Sequence, residues 1–76
     1  MADVLVVDDD QVICGLLTHV IGMLGHRVNC AHMLKAALDE ASSGAYDVVF
    51  LDINMPDGIG LDWIQDFMGL LRRRFF

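Results

Sequence analysis

The chain has 76 residues, 55% of them hydrophobic and 21% charged, with 7 Gly and 1 Pro. One small domain is the most it can make, and neither a disordered nor a fibrous chain has this composition. Net charge is −6; residues 1–71 alone carry two basic and eleven acidic side chains, a balance that repels a phosphate backbone and excludes direct nucleic-acid binding by the body of the chain.

Val4-Leu5-Val6-Val7 is a continuous apolar run, as expected of a strand covered on both faces, and Asp8, Asp9 and Asp10 stop it. From Val12 the spacing becomes helical, with Ile13, Leu16, Leu17, Val20, Ile21 and Leu24 expected on one broad inward face. Asp10 suits the N-cap of that helix and Gly25 its terminator. Arg27 to Ala31 alternates, which predicts a wetter strand at a sheet edge.

Leu34, Ala37, Leu38 and Ala41 then mark a second helix, with Lys35, Asp39, Glu40 and Ser42 outward and Gly44 at its end. Val48 to Leu51 reads as another buried strand, with Asp52 at its C-terminal end. A loop carrying Pro56, Gly58 and Gly60 leads to a third helix from about Gly60, with Leu61, Ile64, Met68 and Leu71 inward and Asp62, Gln65, Asp66 and Gly69 outward.

The order β-α-β-α-β-α predicts one α/β unit, with right-handed crossovers placing helices on both faces of a parallel sheet. Cys14 and Cys30 lie in apolar stretches and make no disulfide framework, so buried thiols are expected. The start of the chain lacks the basic segment of a signal peptide. The longest weakly polar stretch, Val12 to Gly25, has 14 residues and cannot span a bilayer. A cytoplasmic protein without membrane contact is the expectation.

Ligands of open α/β sheets bind beyond the carboxyl ends of the strands. Asp8, Asp9 and Asp52 all stand there, on strands expected to lie close together. An aspartate at one strand end can simply cap a helix, but carboxylates that converge from two strands repel one another unless a cation joins them. Hard oxygen donors suit a partly hydrated Mg²⁺, and no sulfur or imidazole enters the pattern as a zinc ligand would.

The chain resembles the receiver domain of two-component response regulators, the CheY-like superfamily. The matching residues are Val6-Val7-Asp8-Asp9-Asp10, Ala36-Ala37-Leu38, and the stretch from Tyr46 to Leu61 with its Asp52-x-x-Met55-Pro56-x-x-x-Gly60 signature. The resemblance implies a flavodoxin-like, doubly wound fold with parallel strand order 2-1-3. It implies that Asp52 accepts a phosphoryl group from a sensor histidine kinase. Asp9 would be a direct Mg²⁺ ligand, Asp8 its neighbour, supporting the ligands from behind or reaching the ion through water, and Asn54 the donor of a backbone carbonyl. The implied role is that of a signalling phosphoacceptor and not of an enzyme with a separate substrate.

A complete receiver has five strands and five helices, and residues 1–76 read as a single partial one, strands one to three and helices one to three. The Ser or Thr after strand four and the Lys after strand five have no counterpart; the single lysine, Lys35, falls on the outward face of the second helix. A haloacid-dehalogenase-like phosphatase would want a second aspartate where Asn54 stands. The alternative of another class is a module that only dimerises: Val48 to Leu51 would expose an apolar strand edge, which recruits another strand, and the third helix would add Trp63, Phe67 and Leu70.

Overall fold

The computed structural model describes residues 1–44, 46–52, 54–59 and 65. The third helix expected from Gly60 lies outside the described residues, apart from Gln65, which is exposed. The elements in chain order are β1 (Asp3–Val7), α1 (Gln11–Met23), β2 (Arg27–Ala31), α2 (Leu34–Ser43), β3 (Val48–Leu51), β4 (Asn54–Met55) and β5 (Gly58–Ile59). β1 lies between β2 and β3, and both pairings are parallel. The order 2-1-3 is the expected one.

Residue alternation along β1 divides the core into two layers. Leu5 and Val7 point to the side of α2, where Ala31, Leu34, Ala37, Ala41, Tyr46 and Met55 complete a buried cluster. Val4 and Val6 point to the other side, onto Cys14, with Leu17 and Ile21 of α1 packed around them. The helices therefore cover opposite faces of the sheet.

Local chemistry sets the ends of α1. The Asp10 carboxylate accepts from the Val12 and Ile13 amides at 2.9 and 3.4 Å, satisfying donors that the first turn leaves without partners. At the other end Gly25 takes φ +90°, a conformation that side-chain-bearing residues rarely adopt.

Two expectations about burial are corrected. α1 buries Cys14 and half-buries Leu17 and Ile21, whereas Ile13, Leu16, Val20 and Leu24 are 41–71% exposed. The helix is apolar around most of its circumference, so its pattern does not choose a face. Contact with β1 and β2 chooses it. β3 is also less covered than expected: Val48, Val49 and Leu51 are half-buried and Phe50 is 48% exposed, because among the described residues β3 is an outer strand. β2 is the opposite outer strand, as expected from its alternation. Cys14 is buried and Cys30 half-buried, and both are free thiols.

At the N-terminal end of the strands, Tyr46 ties the sheet to α2. Its hydroxyl donates to the Glu40 carboxylate at 2.7 Å and accepts from the Asn29 side-chain amide at 2.8 Å. Burial, reinforced by the Glu40 hydrogen bond, raises the phenol above its ordinary pKa of 10.0. A phenol more basic in the folded than in the unfolded chain contributes stability that is complete below pH 10 and lost as pH rises through the folded value. Tyr46→Phe is expected to cost about 1–2 kcal/mol at neutral pH. Urea unfolding across the alkaline range should show wild-type stability falling above pH 10, with a flatter profile for the variant.

Candidate functional site

The parallel register pairs Val7 with Leu51, so the next residues, Asp8 and Asp52, emerge side by side at the carboxyl edge of the sheet. The ladder continues past the strands: the Asp52 amide donates to the Val7 carbonyl at 2.9 Å, and the Asp8 amide to the Ala31 carbonyl at 3.1 Å. Both backbones are thus held by the central sheet. Asp8 and Asp52 are half-buried and Asp9 is exposed. One carboxylate oxygen from each of Asp8, Asp9 and Asp52 lies within 4.8 Å of the other two. A cavity of about 200 Å³ between Val6, Leu17, Phe50 and Leu51 opens beside Asp8 and Asp52.

The turn after β1 is held on several sides. The Asp8 side chain accepts from the Asp10 amide at 2.9 Å, and Asp10 then caps α1. The Asp8 carbonyl accepts from His32 Nδ1 at 3.0 Å and from the Cys14 thiol at 3.6 Å. Burial, reinforced by the Cys30 thiol beside it, pushes Cys14 up to about 12, so its sulfur keeps the proton it donates. Imidazole and sulfur therefore do approach the site, contrary to the sequence pattern. They meet a backbone carbonyl and leave the carboxylate set purely oxygen.

Beyond Asp52 the expected loop is instead a small antiparallel hairpin, β4 paired with β5 through Asn54 opposite Ile59 and Met55 opposite Gly58. Met55 is buried in the α2-side core, which anchors the hairpin and places the Asn54 backbone two residues after Asp52. Pro56 and Asp57 occupy the turn. Pro56 presets its backbone torsion there, and the Asp57 carboxylate reaches the first turn of α2. Sequence reading passed over His32 and Asp57. The one available signal was Met33, a residue that cannot cap, at the start of α2.

The response regulator receiver domain model matches residues 4–70. The chain belongs to the response regulator receiver family. This receiver is 38% identical over 66 residues to the KDP operon transcriptional regulatory protein KdpE of Escherichia coli, an alignment covering 87% of this chain and 29% of that protein. Its fold superposes with TM-score 0.88 on a Burkholderia pseudomallei response regulator crystallised with a phosphorylated aspartic acid, calcium ion and citrate, at 27% identity over 93% of this chain and 42% of that one. It superposes with TM-score 0.84 on response regulator TrrA of Thermotoga maritima, at 36% identity over 91% of this chain and 60% of that one. TrrA has been crystallised with Mg²⁺ and BeF, and in complex with histidine kinase ThkA. The receiver spans less than a third of the length of KdpE and about half of these crystallised chains.

Proposed function

We propose that this receiver, a single partial unit over residues 1–76, is the phosphoacceptor of a cytoplasmic two-component response regulator, with Asp52 taking the phosphoryl group from a sensor histidine kinase. The observation that carries this reading is the convergence of Asp8, Asp9 and Asp52 within 4.8 Å at the carboxyl ends of neighbouring parallel strands. An Asp52 carboxylate oxygen forms the new bond to phosphorus as the bond from phosphorus to the kinase imidazole breaks, and the electron pair of that bond returns to the ring.

The donor set fits a divalent cation. Asp9, Asp52 and the Asn54 carbonyl would hold Mg²⁺ directly, with Asp8 acting through water. When bound, the ion neutralises charge on the phosphoryl oxygens and aligns them with the nucleophile. The chain itself fixes the Asp52 backbone on β1, holds Asp8 and Asp9 opposite through the pinned turn, and sets the Asn54 backbone through the hairpin. The unit acts as a signalling phosphoacceptor, and its reaction is on its own side chain. Incubation with acetyl phosphate and Mg²⁺ followed by peptide mapping tests this. A phosphoryl group on Asp52 is expected, and one mapping to Asp8 or Asp9 overturns the assignment.

The second reading, a dimerising module, is favoured by one feature. The outer side of β3 pairs with nothing among the described residues, and Phe50 on that strand is 48% exposed. Open apolar edges recruit strands, and two copies could join their third strands antiparallel about a twofold axis. Equilibrium sedimentation at micromolar concentration should show a dimer that Phe50→Lys dissociates; Val49, packed on the α2-side core, is the poorer site for a charge. A folded wild-type monomer over that range overturns this reading.

A further inference from the structure

α2 starts without a cap of its own. Met33, at its N-cap position, makes no side-chain hydrogen bond to the helix. The missing acceptor comes from 23 residues away: Asp57 Oδ1 accepts from the Leu34 amide at 2.8 Å and Oδ2 from the Lys35 amide at 3.1 Å. Asp57 is exposed, yet these two bonds hold its carboxyl below the ordinary range.

The same helix end touches the other half of the carboxylate cluster. His32, two residues before α2, donates to the Asp8 carbonyl at 3.0 Å. The segment from His32 to Lys35 therefore meets the Asp8 turn on one side and the turn that follows Asp52 on the other. Asp57 sits at the tip of the hairpin whose first residue is Asn54. A two-oxygen clamp at that tip restrains the hairpin far more than a single flexible contact would. Met55 holds the hairpin to the α2-side core, and Asp57 ties its tip to α2.

We infer that Asp57 is a positioning residue: its carboxylate bolts the turn after Asp52 to the first turn of α2 and so sets where the Asn54 carbonyl stands against Asp8, Asp9 and Asp52. The metal half of this inference rests on the receiver reading above. The bolt itself is a structural statement that can be tested apart from it.

Two variants separate positioning from helix capping. Asp57→Ala removes the bolt and the cap together. Asp57→Ala combined with Met33→Asp returns a local cap, since residue 33 already has extended backbone (φ −141°, ψ 150°) and is 48% exposed. Amide hydrogen exchange without metal is the first readout. The single variant should lose protection in both α2 and residues 54–59, and the double variant should recover it in α2 alone. The second readout is the Mg²⁺ titration midpoint, expected to rise about tenfold in both variants, the scale found when groups that orient metal ligands are removed. Recovery of wild-type exchange at residues 54–59 in the double variant overturns the inference, because Asp57 would then only cap a helix. So does a single variant whose hairpin exchanges as wild type. A wild-type chain that binds no Mg²⁺ defeats the receiver reading of the site, while the exchange readout still decides the bolt.

Discussion

Asp52→Asn is expected to abolish the phosphoryl label expected on the wild-type chain after treatment with acetyl phosphate and Mg²⁺. The substitution is nearly isosteric, and the Asp52 amide stays bonded to the Val7 carbonyl, so the strand end keeps its place. What disappears is the anionic oxygen proposed to form the bond to phosphorus. An amide oxygen is a far weaker nucleophile and carries no charge to share with a cation. The neighbouring carboxylates do not substitute. An oxygen of Asp8 already accepts the Asp10 amide in the turn that starts α1, and Asp9 is the exposed member of the cluster. Quantitative mass spectrometry of intact chain and peptides checks the outcome. Undiminished label in Asp52→Asn would place the nucleophile elsewhere.

Leu5→Ala should bring the fold to the edge of unfolding. Leu5 is fully buried in the middle strand, among Val7, Ala31, Leu34, Ala37, Ala41, Tyr46 and Met55. Removing a buried leucine side chain costs about 2–5 kcal/mol, the spread depending on how far the cavity collapses. Here β1 is held on both sides by ladders, which limits collapse and favours the upper half of that range. A domain of this length has a total stability of roughly 4–11 kcal/mol, so the change consumes a large part of it. Urea unfolding followed by circular dichroism should show the midpoint falling steeply, with the slope unchanged. Leu16→Ala is the contrasting variant: at 61% exposure on the outer face of α1 it should shift stability by about 0.5 kcal/mol or less. An equal loss in both variants would mean that the outer face of α1 is covered in solution.

Much of this receiver is legible in its sequence because the signals are local. The run from Val4 to Val7 marks a doubly covered strand, and its alternation sends Leu5 and Val7 to one layer and Val4 and Val6 to the other. Leu34, Ala37 and Ala41 recur at helical spacing and are the buried side of α2. Asp10 lies directly before the helix it caps. The carboxylates follow from the same logic: an aspartate directly after a parallel strand must emerge at the carboxyl edge, so Asp8, Asp9 and Asp52 meet once β1 and β3 are neighbours.

Other features depend on partners distant in the chain. α1 carries apolar residues around most of its surface, and the sequence offers Ile13, Leu16, Val20 and Leu24 as readily as Cys14, Leu17 and Ile21; docking on Val4 and Val6 selects the second group. The hairpin after Asp52 forms where turn residues alone suggest an open loop, since buried Met55 draws that segment onto the core. Asp57 caps a helix that starts 23 residues before it, and His32 reaches back 24 residues to the Asp8 carbonyl. The sequence by itself therefore determined the α/β order, the strand ends and the acidic residues gathered there, because periodicity and capping act over a few residues. The tertiary structure alone decided which face of α1 is buried, how the turn after Asp52 is bolted down and what pins Asp8, because each depends on groups brought together only when the sheet assembles.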